Sequence, residues 1–342
     1  MRALVMTEEG LRLFQDWPRP EPGPDEVVIE VRACALNRAD IFMVEGLTGP
    51  GLRGRRLPRI GGVDIAGMVV EAGERVRRFQ PGDAVVVYPG VFCGECFYCR
   101  AGEQTMCDHY GIIGEEFDGG LAEYTRIPER NLMRIPEGFD FITAAAAPAT
   151  FGTVWRGLFN RAGLRAGHDL LVLGASGGVG TAAIVLGKYA GARVLAVASG
   201  EEKLRRLRQI GADLTADYRQ VDIAAWAREQ TGGRGVDIVF DPLGAETWRQ
   251  SINSLKMGGR MVICGATTGD RPDISIREIY QNHRQILGAP MGNLEDTEHV
   301  LSLVWSGAVA PVVHRVLPLD DALDAFEIMR RRDFVGKVVV VP

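Results

Sequence analysis

Short alternating segments open the chain. EVVIEVRACAL, IAGMVVEAG and DAVVVYPG place apolar residues at about every second position, and PGPDE and QPGD punctuate them. That period predicts half-buried strands separated by turns, hence a small all-β unit, open or barrel-like, over the first 90 residues. LAEYTRI and LMRIP extend it. From about residue 142 the pattern changes, and FITAAAAPATFGTVWRGLFNRAG reads as a helix ending at Gly163. Strand and helix then alternate in regular units. DLLVLG leads to VGTAAIVLGKYAG, RVLAVA to EEKLRRLRQIG, and LTADY to DIAAWAREQTG. VDIVF leads to AETWRQSINSLKMG, GRMVICG to ISIREIYQNHR, and QILGAP closes the run. Six apolar strands with five intervening helices predict an α/β unit with a doubly wound, six-stranded parallel sheet. The tail returns to the first style, with DDALDAFEIMRRR as a helix and VGKVVVVP as a last strand.

At 342 residues, two domains are expected. The periodicity divides them into residues 1–146 with 291–342, and residues 147–290. A net charge of −5 gives no reason to expect nucleic acid. No apolar run approaches a membrane span, and MRALVMTEEGLRLF lacks the features of a signal peptide, so a cytoplasmic protein with no membrane partner is expected. The chain holds four lysines, Lys188, Lys203, Lys256 and Lys337, against 35 arginines, so each lysine merits attention.

The turn after the first strand of the alternation reads VLGASGGVG. Ala175, Gly177 and Gly180 give the A-x-G-x-x-G form of the dinucleotide fingerprint, with Ser176, Gly178 and Val179 between them. Gly177 lets backbone approach a pyrophosphate, Gly180 permits close helix–strand packing, and the helix N-terminus offers free N–H groups to the phosphates. The second strand ends in Ala198, Ser199 and Gly200 rather than the acidic residue that binds ribose hydroxyls in an NAD site. Ser199 could donate to a 2′-phosphate, Lys203 lies one turn on, and Tyr218 at the end of the next strand is grouped with them. Glu201 and Glu202 argue the other way, although glutamate also suits a first helical turn. The balance predicts NADP(H).

Gly90–Cys107 reads GVFCGECFYCRAGEQTMC, which holds Cys93, Cys96, Cys99 and Cys107 in a C-x2-C-x2-C-x7-C pattern. Two-residue gaps let neighbouring thiolates fold round one ion, and a fourth ligand closes the tetrahedral shell. Residues 91–110 therefore read as a lobe with one structural Zn2+ per chain, an iron–sulfur cluster or adventitious ion being the alternative. Six cysteines, mostly clustered, do not make a disulfide framework. Cys34 and Cys264 lie in apolar segments and are expected in the core.

Taken together, ALNRADIFMVEG, GGVDIAGMVVEAG, GDAVVVYPG, the cysteine lobe, GASGGVG and the final GKVVVV resemble the medium-chain dehydrogenase/reductase superfamily over the whole chain. The resemblance implies a GroES-like β domain joined to a Rossmann domain. Zinc alcohol dehydrogenases of that family hold a second, catalytic zinc through a cysteine, a histidine with an adjacent glutamate, and a third ligand. Here Asn37 falls at the cysteine position, Gly62-Val63-Asp64 replaces Gly-His-Glu, and Ala149 follows Pro148 at the third position. Residues 1–108 contain no histidine, so a catalytic zinc is not expected.

By the same resemblance, AALNRAD-like and GVDIAG-like segments point to the zinc-free quinone oxidoreductase branch, many members of which lack the cysteine lobe. Asn37, Asp40 and Asp64 are the implied catalytic residues, with capping and inter-loop bonding as the alternative for the two acids. Thr153, Asp241, Gly244, Gly265 and Ala266 fall at cofactor positions, and Lys337 would reach cofactor or substrate from the other domain. The expected activity is NADPH-dependent hydride transfer to quinones or α,β-unsaturated carbonyl compounds. An alcohol dehydrogenase with atypical ligands and a non-catalytic NADPH-binding protein are the alternatives. A homodimer or homotetramer is expected. Arg53, Arg55, Arg56 and Arg59 could favour an anionic substrate, although with arginine this abundant a solvated loop is the favoured reading.

Overall fold

The computed structural model describes residues 1–46 and 57–342. The expected parallel sheet comprises Asp169–Val172, Arg193–Ala198, Leu214–Asp217, Val236–Asp241, Leu255–Ile263 and Gln285–Gly288. Numbered in chain order, its spatial order is 3-2-1-4-5-6, and every pairing is parallel. This is the doubly wound order, whose ligand crevice lies at the carboxyl ends of strands one and four, where the direction of winding reverses. The intervening helices are Gly178–Tyr189, Glu201–Gln209, Ile223–Gln230, Trp248–Ser254 and Ile276–Gln281. The first strand is buried at all four positions, which is why its residues form an apolar run rather than an alternation.

The β unit is built round Glu26–Ala35, which pairs antiparallel with Asp64–Ala72, Tyr124–Pro128 and the final strand Lys337–Val341. That last strand runs parallel to Val313–Pro318 and carries the C-terminus back into the sheet of the N-terminal half. Lys337, at its first position, is thereby set beside the end of Glu26–Ala35 and the residues that follow it.

Two elements differ from the sequence expectation. The segment 141–163 is not one helix: Phe141–Ala145 stops before Pro148, Pro148–Trp155 begins a second helix, and Arg156–Arg161 continues in a wider, π-type turn. Proline lacks the N–H that would carry a helix across its position but suits a first turn. Likewise, Leu255–Gly258 joins a strand rather than the preceding helix, because Leu255 pairs with Val236 ahead of an irregularity in the ladder. Among the described residues, no helix is long and apolar enough to cross a membrane.

Candidate functional site: a dinucleotide cleft and a cysteine lobe

The four lobe cysteines converge. Their sulfurs lie within 4.8 Å of one another, with Cys93 Sγ 3.8 Å from Cys99 Sγ and 3.6 Å from Cys107 Sγ. Tetrahedral bonds of about 2.3 Å to zinc require sulfur separations of about 3.8 Å, so the four residues fit the ion with no more than small side-chain shifts. Backbone N–H groups of Cys96 and Glu95 point at Cys93 Sγ, and those of Cys99 and His109 at Cys96 and Cys107 Sγ. Such donors favour thiolates, and those of Glu95 and Cys96 hold Cys93 down at about 6. All four ligand positions are filled by protein, leaving none for a substrate. The lobe is tied to the rest of the fold by Glu103, which pairs with buried Arg156 and accepts from Asn293 Nδ2 at 3.1 Å.

The second feature is a cleft of about 380 Å³ bordered by Asn37, Ala149, Thr153, Gly177, Cys264 and Lys337, among others. One wall is the glycine turn. Gly177 caps the helix Gly178–Tyr189 with no side chain in the way, leaving its first N–H groups open toward the cleft. A Cβ on Gly180 would meet Gly174 O at 2.3 Å and Ala175 Cα at 2.6 Å, so this glycine lets helix and strand approach. Ser176, Gly178, Val179 and Gly265 border the cleft too, while Ala175 is buried behind it.

Asp241 organises the floor instead of facing the cleft. It is fully buried and accepts from the N–H of Leu243 and Gly244 at 2.7 and 3.3 Å, and from the hydroxyls of Thr247 and Ser251. Gly244 and Ala266 pack against each other, Ala266 Cα lying 3.0 Å from where a Gly244 Cβ would stand. Thr153 donates to Ala149 O at 2.6 Å and closes the inner end.

Beyond the carboxyl ends of the second and third parallel strands, Ser199 is partly accessible and Tyr218 exposed. Lys203 Nζ is turned to Arg332 O at 2.6 Å and lies 3.5 Å from Asp333. Asp217 accepts from Gly200 N at 2.8 Å and pairs with Arg219 at 2.7 Å, and these partners hold its carboxyl well below the usual range. Arg219 was not expected from the sequence, although its place one residue after Tyr218 was a usable signal.

The three acidic and amide residues of the expected catalytic group are brought together with Lys337. Asp40 is fully buried behind the cleft wall, accepting from Asn37 N at 2.7 Å and Gly62 N at 2.9 Å. It thus fixes two loops to each other, and burial pushes its carboxyl up to about 6. Asp64 accepts from Ala149 N at 2.9 Å through one oxygen. Its other oxygen accepts from Asn37 Nδ2 and from Lys337 Nζ, each at 2.9 Å. Asn37 Oδ1 in turn accepts from Lys337 Nζ at 2.7 Å. Asn37 and Asp64 are therefore joined into one hydrogen-bonded array round the Lys337 ammonium, with Asp64 also tied to the Ala149 N–H.

These features agree with the comparisons to known proteins. Residues 23–137 match the alcohol dehydrogenase GroES-like domain, and residues 178–306 match the zinc-binding dehydrogenase domain. The acryloyl-coenzyme A reductase of Sulfurisphaera tokodaii is 32% identical over 100% of both chains. The chain belongs to the medium-chain dehydrogenase/reductase superfamily. An NAD-dependent alcohol dehydrogenase from the same organism is also 32% identical over 100% of both chains. A solved NAD-dependent alcohol dehydrogenase is 40% identical over 100% of both chains, with a TM-score of 0.94. Such relatives make the protein an oxidoreductase using a nicotinamide dinucleotide, with a small molecule as substrate.

Within this dehydrogenase/reductase, Cys34 is buried as expected, whereas Cys264 is half-buried, packing against the core and also bordering the cleft. Arg38, Phe42 and Arg332 also border the cleft and had no clear sequence signal. Arg59 lies 3.4 Å from Asp118, while Arg53, Arg55 and Arg56 fall outside the described residues.

Proposed function

We propose that the protein is an NADPH-dependent reductase of α,β-unsaturated carbonyl compounds or quinones that transfers hydride without a catalytic zinc. The observation that carries this reading is the inner cleft wall. By the family resemblance Asn37, Val63 and Ala149 stand at the three zinc-ligand positions and Asp64 at the neighbouring glutamate, and Asn37 and Asp64 are bonded to Lys337 rather than open toward a metal. Among the described residues, the four lobe cysteines are the group of His, Cys, Asp and Glu residues whose ligand atoms converge. Residues 47–56 contain none of those four residue types.

In a zinc-type alcohol dehydrogenase the metal acts as the Lewis acid that stabilises the alkoxide. Hydride addition to a conjugated acceptor does not, because the charge delocalises onto an oxygen that fixed hydrogen-bond donors can hold. The acryloyl-coenzyme A reductase relative supports this chemistry, while the alcohol dehydrogenase relatives favour the alternative. Ser199 at the strand end and Lys203 one turn on support NADP(H), with Lys203 exchanging the Arg332 carbonyl for a 2′-phosphate. The same reading takes residues 1–146 and 291–342 as the catalytic unit and 147–290 as the cofactor unit, in a homodimer or homotetramer.

The test is a panel scored by NADPH oxidation: 2-cyclohexen-1-one, 1,4-benzoquinone and acryloyl-coenzyme A, set against ethanol with NADP+ or NAD+. Reduction of the conjugated acceptors with little ethanol oxidation is expected. Robust ethanol oxidation would establish an alcohol dehydrogenase, and no turnover with any acceptor would leave a binding protein.

A further inference from the structure

The Lys337 side chain takes an unusual course. Its stem packs over the phosphate cradle, Cδ lying 2.9 Å from where a Gly178 Cβ would stand. The ammonium continues past the cradle to Asn37 and Asp64 on the opposite wall. Its side chain is 3% exposed and that of Asp64 is fully buried. A buried ion pair of this kind adds little net stability, since desolvation offsets the attraction. The fold alone therefore gives little reason for a charge here.

Two details point to a task. An ammonium carries three N–H donors, and among the described residues two of its acceptors are in place, on a group that borders the cleft. In addition, the chain has 35 arginines and four lysines, yet a lysine stands at this position. A compact ammonium concentrates its charge on one atom, whereas a guanidinium spreads it over a wider plane.

We infer that Lys337 takes over the electrophilic role of the missing metal: its remaining N–H is donated to the carbonyl oxygen of the acceptor, with Asn37 and Asp64 holding the ammonium in position. The inference rests on the reductase reading above. Hydride leaves C4 of the dihydronicotinamide and bonds to the β-carbon, while the nicotinamide becomes a pyridinium. The alkene pair shifts to join the α-carbon to the carbonyl carbon, and the carbonyl pair moves onto oxygen. The resulting enolate oxygen accepts the Lys337 N–H, and Lys337 keeps its proton. A proton from water then reaches the α-carbon, and the carbonyl re-forms. The net consumption is one NADPH and one proton per acceptor.

Asn37 and Asp64 are positioning residues in this arrangement. Both ends of the Asn37 amide are engaged, Nδ2 by Asp64 and Oδ1 by Lys337, so it orients the ammonium instead of contacting the substrate.

The test compares the unmodified protein with Lys337→Met and with the charge-balanced double variant Lys337→Met/Asp64→Asn, which spares the fold an unpaired buried carboxylate. With saturating NADPH and 2-cyclohexen-1-one, the double variant should lose roughly 100- to 1000-fold in kcat, as for removal of an oxyanion donor. NADPH affinity, read by nicotinamide fluorescence, should change less than about threefold. An unchanged kcat, or a loss confined to NADPH affinity, would overturn the inference and make Lys337 a cofactor ligand. A second readout needs no turnover: the infrared carbonyl stretch of 13C-labelled cyclohexanone bound with NADP+. It should move to lower frequency in the unmodified protein and return toward its aqueous value in the double variant. A stretch unaffected by the substitutions would refute the contact. An unmodified protein that shifts the ketone stretch yet reduces no conjugated acceptor would sink the reductase reading and leave the contact standing.

Discussion

Adding one methyl group at either of two glycines in the phosphate turn should produce opposite effects. Gly180→Ala would place a Cβ 2.3 Å from Gly174 O, 2.6 Å from Ala175 Cα and 2.7 Å from Ala175 C. All three are backbone atoms of the strand-to-helix turn, so relief requires the helix Gly178–Tyr189 to move off the sheet. Overpacking costs about 1–3 kcal/mol where side chains can yield, and a backbone clash belongs at the upper end. At about 2.1 cal/mol/K per residue, unfolding 342 residues carries an entropy near 0.7 kcal/mol/K, so 3 kcal/mol lowers Tm by about 4 °C. Gly177→Ala differs. Gly177 is extended, at φ −75° and ψ 173°, and its added Cβ would meet Gly174 O at 3.5 Å, an ordinary contact. The fold should tolerate it, or gain a few tenths of a kcal/mol from a stiffer unfolded chain. The methyl would nevertheless stand where backbone must approach the pyrophosphate, and cofactor affinity should fall tenfold or more. Scanning calorimetry without cofactor and fluorescence titration with NADPH separate the two effects. A Gly177→Ala protein that binds NADPH like the unmodified one would refute the assignment of this turn as the phosphate cradle.

Other substitutions probe the remaining parts. Cys96→Ser removes one of four thiolates, so zinc content and lobe stability should fall together; if metal loss abolished hydride transfer while the fold persisted, a purely structural ion would be ruled out. Ser199→Asp adds a carboxylate at the ribose end, and NADPH affinity should drop by about tenfold or more, near 1.4 kcal/mol, with NADH affected less, as paired titrations would show. Asp40 supplies a pH signature. Its native value, about 6, lies above the unfolded value of 3.8, so the native state binds the proton more tightly. Its contribution to stability is then fullest below about pH 4 and declines as pH rises to about 6, by at most about 3 kcal/mol. Urea unfolding of Asp40→Asn should lack that decline between pH 4 and 6, and a variant with the same slope as the unmodified protein would exclude Asp40 as its source.

Legibility from sequence followed the range of the interactions. The cysteine lobe depends on spacing within 15 residues, and the pattern of thiols was enough to find it. The parallel sheet was legible because its strands are buried on both faces and its glycine turn is local. The break at Pro148 was also written in the chain, but the alanine-rich run around it obscured two short helices as one. The central array was not legible. Lys337 and Asn37 are 300 positions apart, and their contact depends on the last strand entering the N-terminal sheet. Periodicity identifies that strand, but it cannot say where the first side chain points. For Asp40 the alternative raised from the sequence, capping and inter-loop bonding, is the role the fold shows, since it caps one loop and holds another.

The central claim is that hydride is transferred in a cleft where a lysine-centred array replaces a catalytic metal. Metal analysis of protein that is actively reducing 2-cyclohexen-1-one, normalised to chain concentration, tests it most directly. One zinc per chain, retained by the four cysteines and unaccompanied by any gain in rate on adding zinc, is the predicted result. Two zinc ions per chain, with activity that follows loss and return of the second, would contradict it.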